Sequence, residues 1–251
     1  MKKLIVVIVC CILAMVMVGC NNPENEIYSS TSFGVVERCP VRVDIRVDGD
    51  GRVDSVRFSE YFSVYDIGKL TLADGKWYKC EVEIDEHENG YAKYVRVGET
   101  TFVMDGGEYD FVYEEQEISY DEWLSRDVEQ YVNALKSEQY DIVNKDGQSY
   151  GVSFDVFNGR KVTKAEWGDK LKNGYHEGKN YEYGYKENIY RLITHLKNHG
   201  FYAYTGDEKP SGKQGTFVVG KYDTLVNLSG FHGYMQIALT AYNTAKESKV
   251  N

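Results

Sequence analysis

Val41-Arg-Val-Asp-Ile-Arg-Val47 alternates apolar and charged residues, and after Asp48-Gly-Asp-Gly51 the alternation resumes in Arg52-Val-Asp-Ser-Val-Arg-Phe58. A period of two places every second side chain on one face of a strand. Two such runs across an Asp-Gly turn specify an antiparallel hairpin with one apolar and one charged face. The apolar face must be covered by another element, so the chain needs more than this sheet to make a core. The Asp48/Asp50/Asp54 spacing faintly suggests a calcium loop. An EF-hand loop needs glycine at its sixth position and glutamate at its twelfth; neither is in register, and the segment reads as a turn.

The same two-residue period recurs downstream. Strands are expected at Trp77–Ile84, Tyr91–Val97, Thr100–Met104 and Tyr109–Tyr113, separated by glycine turns at Asn89-Gly90, Gly98 and Gly106-Gly107. At Ser119 the period becomes helical. Ser119-Tyr-Asp-Glu122 fits a capping box, and Leu124, Val128, Tyr131, Val132 and Leu135 form the apolar stripe behind it. Tyr150–Phe157 returns to a strand pattern, ending at Asn158-Gly159. A further amphipathic helix runs from about Tyr185 to His199 with Gly200 as its stop, and Ile189, Leu192, Ile193 and Leu196 face inward. Thr205–Gly215 reads as a mobile loop, and Phe217–Val219 as a short strand. The expected class is α+β, with an antiparallel β-rich N-terminal half to about residue 118 and mixed helices and strands after it.

The chain's 251 residues suffice for one or two domains. Met1-Lys2-Lys3 followed by an apolar run from Leu4 to Val18 suits a secretory signal peptide; a membrane span needs roughly 20 apolar residues. The run ends in Met17-Val18-Gly19-Cys20, which resembles the lipobox of bacterial lipoproteins, in which the cysteine is acylated and becomes the mature N-terminus. The expected organisation is therefore signal peptide 1–19, a lipidated tether over 20–32, and an α+β domain over 33–247, divisible into 33–118 and 119–247. The resemblance implies export, with Cys20 anchored in membrane lipid on the extracytoplasmic face. Loss of residues 1–19 removes two lysines and no acid, leaving 27 basic against 39 acidic residues, a net charge of −12. That balance argues against nucleic acid and against electrostatic docking on anionic lipid. Cys39 and Cys80 are compatible with one disulfide in an oxidising compartment, though spacing alone does not decide it.

Several stretches look like catalytic or metal motifs and do not qualify. Gly206 to Lys213 has one residue too many for a P-loop, and Gln214 stands where a magnesium-binding Ser/Thr belongs. His195 and His199 have the i, i+4 spacing of zinc ligands, but Leu196 occupies the general-base position and exposed helix histidines are expected. Asp85-Glu-His-Glu88 reads as a solvated turn. Ser229-Gly230 lacks the Gly-x-Ser-x-Gly frame of a nucleophile elbow. Tyrosine is the compositional outlier at 22 residues, crowded in Tyr175–Tyr190. Such rings suit either sugar or flavin stacking or an ordinary exposed sheet.

At the C-terminus, a polar turn with Asp223, Thr224, Asn227 and Ser229 feeds a helix on which Phe231, Tyr234, Ala238, Tyr242 and Ala245 share one face. A turn at a helix N-terminus can seat an anionic group such as a phosphate.

Together, Val53–Phe62, Gly90–Gly98, Trp123–Leu135, Tyr181–Ile189 and Tyr222–Ala245 resemble Gram-positive surface lipoproteins related to the FMN-binding domain family. That family carries FMN on the last threonine of a Thr-Gly-Ala-Thr turn and shuttles electrons at the cell surface. Registered on the helix, Thr224-Leu225-Val226-Asn227 falls under that turn; registered on Ser229-Gly230, His232 falls at the acceptor. Asparagine has no hydroxyl for a phosphoester, and Leu225 replaces a glycine needed for close backbone approach. The resemblance thus implies non-covalent FMN at Asp223, Thr224, Asn227 and Ser229, or a scaffold whose flavin site is lost. The expected role is a non-enzymatic binding or accessory one, next to flavin-based electron transfer. The alternatives are a lipoprotein binding a sugar or peptide, with a tyrosine-lined cleft near Tyr181–Tyr185, or a structural envelope lipoprotein without a ligand.

Overall fold

The computed structural model describes residues 26–70, 80–113, 116–150 and 184–249. The signal peptide, Cys20, residues 151–157 of the strand expected from Tyr150, and Tyr175, Tyr181 and Tyr183 of the tyrosine-rich stretch lie outside the described residues.

The hairpin forms as its alternation demands. Strands β2 (Cys39–Asp48) and β3 (Val53–Glu60) pair antiparallel, with Val43 opposite Phe58 and Ile45 opposite Val56. The Asp48 carboxylate caps the turn by accepting from the amides of Asp50 at 3.0 Å and Arg52 at 2.8 Å. Asp50 and Asp54 pair with Arg52 and Arg46, so the three aspartates do not converge.

Ahead of the hairpin, β1 (Ile27–Val36) pairs with β2 along its whole length, Ile27 opposite Asp48 and Val36 opposite Cys39. This corrects the expected tether, which is strand from Ile27 onward. Its Ser/Thr-rich sequence looks like linker, yet Tyr28, Gly34 and Val36 fall opposite Val47, Val41 and Cys39, and strand pairing supplies the order that composition does not. Sheet order is β1-β2-β3, with β1 at an edge.

After β3, Ser63 caps the short helix α1 (Val64–Gly68) in a full capping box with Asp66, a Ser-x-x-Asp signal that sequence reading passed over. The chain then builds two sheets. Strands β4 (Lys69–Leu70), β5 (Val82–Ile84) and β6 (Gly90–Ala92) form one, in order β4-β6-β5. Strands β7 (Tyr94–Val97), β8 (Thr100–Asp105), β9 (Glu108–Tyr113), β10 (Gln116–Ser119) and β11 (Tyr140–Ile142) form the other, in order β10-β9-β8-β7-β11. The single strand expected over 91–97 is therefore split at Lys93, where the chain changes sheet. Only Val82–Ile84 of the strand expected over 77–84 is seen among the described residues.

Helix α2 (Tyr120–Lys136) begins at Ser119, whose hydroxyl accepts from Glu122 N at 3.2 Å. Glu122 does not return the bond of a full box; its carboxylate pairs with Arg126. Helix α3 (Gly184–His199) ends at Gly200 with φ of 60°. Strands β12 (Val218–Val219) and β13 (Tyr222–Asp223) lead into helix α4 (Phe231–Glu247). The overall class is α+β, strand-rich in its N-terminal half.

Two hydrophobic cores result. In one, the inner face of β1-β2-β3 (Val41, Val43, Ile45, Phe58) is covered by α3 (Ile189, Leu192, Leu196) and α4 (Phe231, Met235, Ala238, Ala241). The other packs α1 and α2 on the five-stranded sheet, around Phe102, Tyr109, Tyr120, Trp123 and Tyr131. Edge-to-face pairs such as Tyr65–Tyr109 at 5.1 Å and Phe102–Trp123 at 5.2 Å fill it, which accounts for part of the tyrosine excess. Strand β1 serves both: Tyr28 and Val36 face the first core, Phe33 and Val35 the second. Cys39 and Cys80 are not disulfide-bonded to one another.

Candidate functional site

The turn ahead of α4 is built from hydrogen bonds that its own residues exchange. Asp223 Oδ1 accepts from Thr216 Oγ1 at 2.7 Å and from Leu225 N at 2.9 Å. The Thr224 hydroxyl donates to Phe217 O at 2.8 Å and accepts from Val226 N at 3.2 Å. Asn227 N donates at 2.9 Å to Oδ1 of Asn188, a fully buried residue of α3. Leu225 has a φ of 57°, a left-handed conformation tolerated because its neighbours hold it on both sides. Burial pushes the Asp223 carboxyl up, but bonds from Thr216 and the amides of Leu225 and Lys213 outweigh it and leave it below its ordinary value. Ser229 is exposed, and Gly230 caps α4 without a side-chain bond.

Of the four residues expected here, Asp223, Thr224 and Asn227 are brought together, while Ser229 stands apart. These residues do not fit a flavin phosphate. The amides of Leu225, Val226 and Asn227 are all committed to protein acceptors. Asn227 Oδ1 is buried without a hydrogen-bond partner; like the Asp223 carboxylate, it is an acceptor that would repel phosphate oxygens. Glycines do mark close approach at the start of α4, but the approach is to strand β1. A Cβ on Gly233 would lie 2.8 Å from Val36 Cγ2, and one on Gly34 would lie 2.6 Å from Ile237 Cγ1. His232, the other register for an acceptor, points away from the turn: its Nε2 meets Glu208 O at 2.7 Å and its Nδ1 meets Tyr204 OH at 3.3 Å.

That contact is one of several that tie down the Thr205–Gly215 stretch. The Glu208 carboxylate accepts from Thr205 N at 2.7 Å and Gly206 N at 3.1 Å. Gly212 sits against Asp223, whose Oδ2 would lie 2.7 Å from a Cβ there. Gly212 and Lys213 of the apparent P-loop thus lie against a carboxylate.

The histidine pair also differs from expectation. His195 is 5 % exposed, not a surface residue, and its Nε2 has no hydrogen-bond partner. Burial, with the neighbouring His199 adding to it, lowers its pKa to about 4. His199 stacks on Tyr222 at 3.8 Å between ring centroids. Tyr185, the one residue of the expected Tyr181–Tyr185 cleft described apart from Gly184, is buried: it donates at 2.5 Å to Oε2 of Glu60, a buried carboxylate on β3 that also receives the Tyr234 hydroxyl. Sequence reading passed over Glu60 because the apolar alternation of β3 runs straight into it; the signal was an acid on the inward-facing register.

The open space lies elsewhere. Between β1 and α2 runs a groove of about 850 Å³. Thr31, Ser32 and Phe33 form one wall, Gly98 and Glu99 close one end, and the 126–134 face of α2 forms the opposite wall. Phe33, Val128 and Ala134, all part of or packed on the second core, give it an apolar floor, and apart from Gly98 the rest of the lining is polar. The helix is locally unwound beside it, at Asp127 (φ −122°, ψ 27°). A smaller hollow of about 560 Å³ lies between the Asp85–Asn89 and Gly106-Gly107 turns, lined by Glu83, Asp85, Glu86 and Glu108. Asp85 is engaged by the amides of His87 and Asn89, and no cluster of three metal-binding side chains occurs among the described residues. Nor is any helix of the described residues long and apolar enough to cross a membrane.

Fold and site thus define an α+β protein which, among the described residues, has two cores, a closed C-terminal turn and an open groove between β1 and α2. The chain matches no family model, no curated protein and no solved structure.

Proposed function

We propose that this chain is a lipid-anchored, extracytoplasmic binding protein with a non-catalytic role, held at the membrane by acylation of Cys20. The observation that carries the binding reading is the groove of about 850 Å³ between β1 and α2. Ligand sites are typically concavities of about 300–1,000 Å³; this groove falls in that range, with Phe33, Val128 and Ala134 among mostly polar walls. Of the ligands considered for such a lipoprotein, a sugar or peptide suits its polar walls. Flavin is disfavoured, because the turn that would seat its phosphate is filled with its own hydrogen bonds. Anchoring rests on the Gly19-Cys20 signal and on an acidic chain that needs acyl groups rather than charge to stay on lipid.

Thermal unfolding of the full chain in detergent, with FMN, short oligosaccharides or short peptides added in turn, tests the reading. Sugar or peptide is expected to raise the midpoint and FMN to leave it unchanged. Stabilisation by FMN alone, with flavin absorption bands on the purified complex, would overturn it.

A further inference from the structure

Strand β1 has a property that edge strands usually avoid. Natural sheets blunt long edges with lysine, proline, bulges or a covering element, because an unpaired row of amides and carbonyls templates another strand. Over its ten residues, Ile27-Tyr-Ser-Ser-Thr-Ser-Phe-Gly-Val-Val36, this edge carries no charge and no proline. All ten residues are in register with β2 and without a bulge. Among the described residues, no backbone group outside β2 pairs with β1. The groove runs along the middle of this edge, at Thr31, Ser32 and Phe33.

The facing wall has a definite charge. Glu99, Asp127 and Glu129 bring three carboxylates to the lining against a single guanidinium, Arg126. Arg126 is already paired with Glu122 on its own helix, so the groove presents net negative charge beside an open strand edge. Gln130, Asn133 and Gln139 add neutral hydrogen-bonding groups.

We infer that the groove takes an extended peptide segment bearing lysine or arginine, added antiparallel or parallel to β1 as a fourth strand of the β1-β2-β3 sheet. This deepens the binding reading above and rests on it. Main-chain bonds to the outward amides and carbonyls of β1 supply sequence-independent affinity. One alternate set of guest side chains faces Phe33, Val128 and the carboxylates beside them, and the other set points to the opposite face of the sheet. An uncharged edge costs such a guest no charge desolvation, and the acidic wall selects its sign.

Fluorescence anisotropy on the detergent-solubilised full chain tests this with two labelled six-residue peptides, one alternating valine or threonine with lysine, the other with glutamate. The lysine peptide is expected to bind at least tenfold more tightly. Amide exchange should slow within Ser29–Val35 when it binds. Glu99→Gln with Glu129→Gln should weaken it at least threefold without moving the unfolding midpoint. Ser30→Pro and Thr31→Pro sharpen the point: amides alternate along a strand, so one of the two prolines removes an outward donor and leaves the β2 ladder intact. That folded variant should lose binding. Absence of binding at millimolar peptide, equal binding of both peptides, or protection mapping away from β1 would overturn the inference. So would concentration-dependent dimerisation that protects β1 without peptide, which would make a second copy the occupant. Stabilisation by a sugar with no peptide binding would remove this inference and leave the binding reading standing.

Discussion

Glu60 is 4 % exposed and sits between the phenols of Tyr185 and Tyr234, whose oxygens are themselves 3.1 Å apart. A buried carboxylate is tolerable only while its acceptors are filled, and here one donor comes from α3 and one from α4, clamping both helices to β3. Burial, with the neighbouring Glu60 and Tyr185 adding to it, raises the Tyr234 phenol well above its ordinary value, so it remains a donor. Tyr234→Phe, which removes one donor, is expected to cost about 1–3 kcal/mol, read by denaturant unfolding. His195 gives a pH signature of the opposite kind. Its folded-state pKa of about 4 lies below the ordinary 6.5, so above pH 6.5 it contributes nothing to pH dependence. As pH falls from 6.5 towards 4, the unfolded chain takes up a proton that the folded one refuses, and stability declines by up to about 3 kcal/mol before levelling off. His195→Leu should flatten the slope of unfolding free energy against pH in that window relative to the parent chain. An unchanged slope would show that the ring is not desolvated.

The packing of α4 on β1 depends on side chains that are missing. Gly34, Gly230 and Gly233 let the helix approach Val36 and leave Ile237 room over the strand. Gly230→Ala or Gly233→Ala should destabilise by about 1–3 kcal/mol through overpacking. Val36→Ala should restore part of that loss, a coupling that a double-mutant cycle in denaturant measures. At this scale the sequence was legible where periodicity was strong and local. The β2–β3 hairpin, the stripe Leu124–Leu135 and the stop at Gly200 each follow from spacing and turn chemistry. It was not legible where order comes from a distant partner. The polar run Tyr28–Ser32 is a strand because β2 lies beside it, and His195 is buried because its helix face meets the hairpin. Nothing in one segment announces either. Lys93 likewise hides a change of sheet inside what reads as one strand.

For the whole molecule, β1 is the element on which both cores converge, one on each of its faces, and its outer edge borders the open groove. The candidate site expected from sequence lies on the other side of this arrangement, in a turn whose polar groups are engaged; three of its four residues are structural ties. The groove was not legible, because its walls come from residues 31–33, 98–99 and 126–139, each unremarkable alone. The position of β1 also ties the groove to the proposed anchor. Cys20 and Ile27 are seven residues apart, at most about 25 Å even if fully extended, so an acylated Cys20 would keep this end of the domain close to lipid. The partner would then have to be met near the membrane surface.

Intact mass spectrometry of the full chain, expressed in a lipoprotein-processing bacterium and extracted from its membranes, tests that anchoring directly. The expected species begins at Cys20 and carries the added mass of a diacylglyceryl group, whereas Cys20→Ala should accumulate unprocessed and unlipidated. A mature chain that begins at any other residue, or one from Cys20 without added lipid mass, would contradict a lipid-anchored binding protein.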